Sequence, residues 1–174
     1  MNGGTARISI RRIAPNEGPL LREVRLRALL DAPEAFGQTV EEAAALAMSQ
    51  WKRRASQASR GSQHSWLLAR RGAEVVGIVH GRRRGSDTLL VFSMWVDPAV
   101  RRSGVGRMLI ERLEAWARRW GAQDTALWVY RDNRRARDFY ARLGFQLLTD
   151  GPDADAGARY GAVALTRVIE REDE

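Results

Sequence analysis

Seven consecutive residues carry the densest chemical information in this chain: Arg101, Arg102, Ser103, Gly104, Val105, Gly106 and Arg107. They lie between an apolar run closed by Pro98 and a long amphipathic segment, a pattern that predicts a strand-to-helix turn. Glycines let such a turn be tight and let an anion approach the backbone closely. The first N–H groups of a helix have no partner inside it, and the helix dipole favours negative charge at that end. Successive main-chain N–H groups flanked by Arg101 and Arg102 therefore form a candidate phosphate or pyrophosphate cradle. The competing reading is a turn in which the glycines serve geometry alone. The segment lacks the Gly-Lys-Ser/Thr of a nucleotide P-loop and a full Gly-x-Gly-x-x-Gly, which disfavours an NTPase and a dinucleotide-binding dehydrogenase.

Other chemistries lack their residues. There is no cysteine, so disulfides, a cysteine nucleophile and thiolate metal sites are excluded. Two histidines, His64 and His80, are too few for a multi-histidine centre; no metal is expected. The net charge is +8, carried by arginines with Lys52 as the lone lysine. That field suits an anionic partner, either nucleic acid or a phosphorylated cofactor. The basic residues are scattered, without a basic tail or interleaved aromatic stripe, so nucleic acid is the weaker choice. The apolar run 89–92, even extended through Val96, falls well short of a membrane span. No leader-like segment opens the chain, and the expectation is a cytoplasmic protein without membrane association.

The elements that must position the cradle can be read from periodicity. A length of 174 residues suits one domain, 1–174, and no repeat or linker interrupts it. Residues 7–13 alternate as a strand. Leu20, Leu21, Val24, Ala28 and Leu29 recur at helical spacing until Pro33, and 31–38 reads as a loop. Thr39-Val40-Glu41-Glu42 has capping-box form and starts a second helix running through Trp51 and fading over 55–65. Strands follow at 66–70, 75–81 and 89–96, the last apolar on both faces as suits a central strand. A helix runs from the glycines to about Trp120, with a strand at 125–129 and a short helix at 133–143. A closing strand pair at 145–148 and 160–168 flanks a Gly/Asp/Pro loop, and the acidic tail 170–174 reads as solvated. This order makes a mixed α/β sheet.

Arg101-x-x-Gly104-x-Gly106, after Val96-Asp97-Pro98, resembles the Arg/Gln-x-x-Gly-x-Gly/Ala motif of the GCN5-related N-acetyltransferase (GNAT) superfamily. Asn133-x-x-Ala136-x-x-Phe139-Tyr140-x-x-Leu143-Gly144-Phe145 is similar to its second cofactor segment, and the element order matches over nearly the whole chain. Leu26-Arg27-Ala28-Leu29 and Pro33-Glu34-Ala35-Phe36-Gly37 are similar to many bacterial members. The resemblance implies an acyl-CoA N-acyltransferase fold: a central, splayed, mostly antiparallel sheet flanked by helices. It also implies transfer of an acetyl group from acetyl-CoA to an amine by direct attack on the thioester. The pantetheine arm would lie beside the backbone of Met94, Trp95 and Val96, with the pyrophosphate on the N–H groups of residues 102–107. Asn133 and Ala136 would stand at the cofactor arm, where Asn133 could equally be a helix cap. Tyr140 matches the general acid. A phenol with a pKa of about 10 stays protonated at neutral pH and can supply the proton the departing thiolate needs.

The resemblance leaves the base and acceptor open. Many members place a glutamate on the fourth or fifth strand, but residues 91–94 and 127–130 contain no carboxylate. Glu41 and Glu42 are weak candidates for receiving a cationic amine. Glu34 could receive such an amine as well, against a helix-capping or solvated-surface role for each of the three, and the strand residue His80 is a candidate base. A non-catalytic acyl-CoA-binding module on the same scaffold is the alternative, with a basic nucleic-acid-binding domain third. The family serves protein N-termini, lysines, polyamines, amino acids and aminoglycosides, so the resemblance leaves both small molecules and proteins open as acceptors. Members are often monomers or homodimers.

Overall fold

The computed structural model describes residues 7–170; most of the acidic tail considered above lies outside them. The described residues form a seven-stranded sheet in the order β1-β2-β3-β4-β5-β7-β6. Its strands are β1 (Ile8–Arg12), β2 (His64–Arg71), β3 (Glu74–Arg84), β4 (Thr88–Val96), β5 (Asp124–Tyr130), β6 (Gln146–Leu148) and β7 (Ala162–Val168). Every neighbouring pair is antiparallel except β4–β5, which is parallel. This is the mixed, mostly antiparallel sheet expected from the sequence, and β4 sits at its centre.

The period-two alternation of the strands divides the core. Leu67, Ala69, Val76 and Val79 face α4 (Val105–Arg118), whose Leu109, Ile110 and Leu113 are buried. Burying such side chains contributes roughly 1.5–3 kcal/mol each. Trp66, Leu68 and Ile78 face the other way, against α1 (Gly18–Asp31) and α3 (Met48–Arg60). Two glycines of β3 let α4 lie close to the sheet. A Cβ at Gly77 would stand 3.1 Å from Leu109 Cδ1, and one at Gly81 would stand 2.7 Å from Leu113 Cδ1. The buried Glu114 carboxylate then accepts from Thr125 Oγ1 at 2.8 Å and pairs with Arg167, which ties α4 to β5 and β7.

Two segments depart from the periodicity reading. The single helix expected from Thr39 through Trp51 is two helices. α2 (Val40–Ala44) keeps the predicted capping box, with Glu42 N–H donating to Thr39 Oγ1 at 3.2 Å. The chain then breaks at residues 45–47, where Leu46 tucks against the α1–α3 core and the Gln50 side chain takes the Ala47 N–H. α3 persists to Arg60 because Trp51, Ala55 and Ala58 pack inward at helical spacing beneath a polar exterior. The Gly/Asp/Pro loop expected after β6 contains α6 (Pro152–Arg159), opened by Pro152 with Asp153 and Asp155 in its first turn. Acidic residues suit that end of a helix. α6 docks through tertiary contacts: Trp128 Nε1 donates to Asp153 O at 2.9 Å, and Arg84 holds the Asp153 carboxylate at 2.7 and 2.8 Å.

Candidate functional site

The parallel strands β4 and β5 pair only over Thr88↔Asp124, Leu89↔Thr125 and Leu90↔Ala126. Beyond that point β4 continues to Val96 and stays paired with β3, while β5 stays paired with β7 to Tyr130. Backbone groups of a strand alternate between its two neighbours. The β5-facing groups of β4 after Leu90 therefore have no strand to bond. A bulge accompanies the parting: Ile78 pairs with Trp95 and His80 with Phe92, so Val79 stands opposite two residues. Within it Ser93 adopts φ 54°, a left-handed conformation unusual for a residue with a Cβ.

The gap between the strands opens into a cavity of about 1370 Å³. Met94, Trp95 and Val96 form its β4 wall, and Arg102, Gly104, Gly106 and Arg107 line it at the start of α4. Gly104, the residue before the helix, has φ 90°, while a Cβ on Gly106 would meet the Phe139 ring at 2.9 Å and Met94 Cε at 3.2 Å. The first glycine is thus needed for backbone conformation and the second for close approach. The first hydrogen bond of α4 runs from Met108 N–H to Gly104 O at 3.0 Å, so the N–H groups of Gly106 and Arg107 precede the helical ladder. Neither Ser103 nor Val105 lines the cavity: Ser103 is exposed with its hydroxyl donating to Val100 O at 2.6 Å, and the Val105 side chain is buried in the core.

Arg101 lines the cavity, but its guanidinium is committed within the chain. Its Nε donates to Val96 O at 2.9 Å and its Nη2 pairs with the Asp31 carboxylate. The same carboxylate accepts from Trp95 Nε1 at 2.8 Å, so one acidic residue of α1 anchors both the end of β4 and the loop after it. Arg102 and Arg107 line the cavity as well, and Arg107 lies 3.7 Å from the Glu111 carboxylate one turn on.

On the opposite wall, α5 (Arg134–Arg142) contributes Ala136, Phe139 and Tyr140, with Asn133 just before it. Asn133 is the helix cap: its Oδ1 accepts from Ala136 N–H at 3.0 Å, which leaves its amide N–H groups for other partners. Tyr140 is buried between the rings of Phe139 and Phe145, at centroid distances of 5.0 and 5.3 Å, and it lines the cavity. Burial pushes its phenol above the ordinary value, so it is held protonated.

The rest of the cavity is walled by Phe36, Gly37 and Gln38, by Phe92, Trp128 and Tyr130 of the sheet, and by Gly157 and Tyr160 around α6. Arg25 of α1 lines it as well. The carboxylates suggested for this half are not brought to it. Glu42 spends its side chain on the Thr39 N–H at 2.9 Å, and neither Glu41 nor Glu34 is among the cavity-lining residues. His80 is also absent from the lining; it stacks on Trp66 at 4.5 Å and lies 3.1 Å from His64 Nδ1. Burial, reinforced by the neighbouring His64 and Arg82, lowers its pKa to about 3 and keeps it neutral. Ser93, Arg25 and Tyr160 escaped the sequence reading, since nothing local marks a serine for a left-handed bulge or an arginine for burial.

This architecture is shared. The PaiA N-acetyltransferase of Thermoplasma acidophilum, solved in complex with coenzyme A, superposes with a TM-score of 0.74 at 14% identity, covering 93% of this chain and 99% of that one. YncA of Salmonella typhimurium, solved with its cofactor acetyl-CoA, gives 0.71 at 19% identity over 97% of each chain. A GNAT-family acetyltransferase of Streptococcus pneumoniae gives 0.75 at 19% identity, covering 94% of this chain and all of that one. The fold is therefore that of the GNAT acetyltransferases. Residues 26–145 match the acetyltransferase (GNAT) family, and the chain belongs to it. A curated relative, the uncharacterized N-acetyltransferase MJ1207 of Methanocaldococcus jannaschii, is 38% identical over 56 residues, which span 32% of this chain and a quarter (25%) of that protein. No helix among the described residues is long and apolar enough to cross a membrane.

Proposed function

We propose that this chain is an acetyl-CoA-dependent N-acetyltransferase acting on a primary amine. The observation that carries the reading is the parting of β4 from β5 beside the N-terminus of α4, with Tyr140 lining the same cavity. Acetyl-CoA supplies an activated thioester whose C–S bond breaks as the N–C bond to the amine forms. In this reading the N–H groups of residues 102–107 and the side chains of Arg102 and Arg107 hold the diphosphate. The edge of Met94, Trp95 and Val96 that β5 leaves open offers backbone groups, other than the Val96 carbonyl held by Arg101, to the amides of the pantetheine arm and a donor to the developing oxyanion. Asn133 and Ala136 border the arm from α5. Tyr140, kept protonated by burial, gives its proton to the departing sulfur.

Asp138 is the sole carboxylate among the described lining residues, and no histidine stands with it. The acceptor amine in this scheme loses its extra proton to water before it attacks, and the second proton, shed by nitrogen as the amide forms, restores the Tyr140 phenol. The same observation favours a second reading, an acyl-CoA-binding module without turnover. Two measurements separate the readings. Calorimetry with acetyl-CoA tests the cradle, and the absence of binding at millimolar concentration sinks both. Thiol release with an amine panel then tests the chemistry: Tyr140→Phe is expected to slow turnover about 10²- to 10⁴-fold while cofactor affinity holds. A wild-type protein that binds acetyl-CoA and releases no thiol with any amine is the module instead.

A further inference from the structure

Arg25 is a buried cation without a counter-ion. Only 7% of its surface is exposed, and its Nη1 is shielded from water with no hydrogen-bond partner. Its Nη2 reaches Gln38 Oε1 at a long 3.4 Å, and the guanidinium lies 4.5 Å over the Phe36 ring. No ion pair involves it among the described residues, whereas other arginines of the fold, such as Arg27 and Arg167, have carboxylate partners. Burial and the nearby positive charge of Arg54 lower its pKa to about 10, which leaves it charged at neutral pH. A desolvated guanidinium over an aromatic face recovers part of its lost hydration, but a buried charge without a carboxylate partner is balanced fully only by an anion.

That anion can come from the cavity. Arg25, Gln38 and Phe36 all line it. The walls there are aromatic, through Phe92, Trp128 and Tyr130. A cationic polyamine or aminoglycoside would meet a like charge at Arg25, with Asp138 of α5 the sole carboxylate among the described lining residues to receive it. We infer that the acceptor is an amino acid, a small amine that also bears a carboxylate, and that Arg25 with Gln38 holds the carboxylate while the amine faces the thioester. Planar guanidinium and carboxylate groups match in a two-point contact, which lysine does not reproduce. This assignment rests on the acetyltransferase reading and narrows it, separating free amino acids from peptide N-termini, whose carboxylate is replaced by an amide.

The test compares acids with their own amides. L-Phenylalanine, L-methionine, β-alanine and 4-aminobutyrate are each offered beside the matching amide, with spermidine as the cationic control and thiol release as readout. At least one acid is expected to exceed its amide at least tenfold in kcat/KM; the best chain length reports the distance from amine to carboxylate. Arg25→Gln should abolish that ratio with acetyl-CoA affinity unchanged within about twofold, and Arg25→Lys should restore only part of it. Binding of the N-acetyl amino acids and their amides, read by thermal shift without cofactor, tests the anion site even if turnover is absent. Acids that stabilise the wild type above their amides, with the difference gone in Arg25→Gln, support the site. Equal treatment of acids and amides by the wild type, or preference for spermidine, overturns it, and that comparison needs no variant to fold. Loss of acetyl-CoA binding is a different failure and refutes the transferase reading itself.

Discussion

Gly106→Ala probes the contact on which the cleft's geometry depends. The added methyl would stand 2.9 Å from two atoms of the Phe139 ring and 3.2 Å from Met94 Cε, both closer than side chains ordinarily pack. Overpacking of this kind costs about 1–3 kcal/mol. Alanine in place of glycine within a helix returns about 1 kcal/mol, so the net loss is about 0–2 kcal/mol. For a chain of this size that lowers Tm by up to roughly 8 °C. The disturbance does not stay local. Phe139 stacks edge-on against Tyr140 at 5.0 Å, so a displaced ring shifts the proposed acid and the cradle together. Acetyl-CoA affinity and turnover should therefore both fall. Phe139→Leu supplies the missing room, and in that background Gly106→Ala should be neutral or stabilising. Denaturant melts of the four proteins give a coupling energy of about 1–3 kcal/mol if the reasoning holds. Additive effects within about 0.5 kcal/mol, or a Gly106→Ala single variant more stable than the wild type, would refute it. Gly104→Ala is the internal control: its Cβ meets nothing within 4 Å, but its φ of 90° makes alanine strained there, and Phe139→Leu should not relieve that loss.

Asp31→Ala removes the shared anchor of Trp95 and Arg101; leaving the indole N–H unpaired costs about 1–3 kcal/mol. Thermal melts should show the loss, and calorimetry should show weaker acetyl-CoA binding; unchanged values in both would mean the anchor is dispensable. His80 governs an acid transition: its folded pKa of about 3 lies below the ordinary 6.5, so the unfolded chain takes up the proton first. The stability owed to the neutral ring is complete above pH 6.5 and is lost as pH falls toward 3, by up to about 1.4 kcal/mol per pH unit. Urea midpoints for His80→Phe should fall less steeply between pH 6 and 4 than those of the wild type, and parallel slopes would contradict the assignment.

Much of the scaffold was legible because its signals are local. The α4 stripe of Leu109, Leu113 and Trp116 exposes its period directly, and the apolar run of Trp66, Leu67, Leu68 and Ala69 reads as a strand whose two faces only the structure separates. The capping box at Thr39 is read from four residues and recurs in the structure. The same reading merged α2 with α3, because the break at residues 45–47 follows from where Leu46 packs, and it missed α6, whose docking depends on Trp128 and Arg84 from distant strands. Tyr140, Asn133 and the glycine turn do come together around one cavity, while Glu41 and Glu42 stay outside it. The start of their helix was read correctly, but its orientation toward the sheet is a long-range property.

The amino-acid order by itself determined a turn rich in free N–H groups ahead of a strong helix, since unpaired donors at a helix start and glycine's access to positive φ are properties of a few adjacent residues. Tertiary structure alone decided that β4 leaves β5 after Leu90, that Ser93 takes the left-handed bend, and that Arg25 is sealed away without a carboxylate. Strand separation is a competition among neighbours far apart in the chain, and a buried charge is defined by everything packed around it. Neither can be read from the residue or the short segment that carries it.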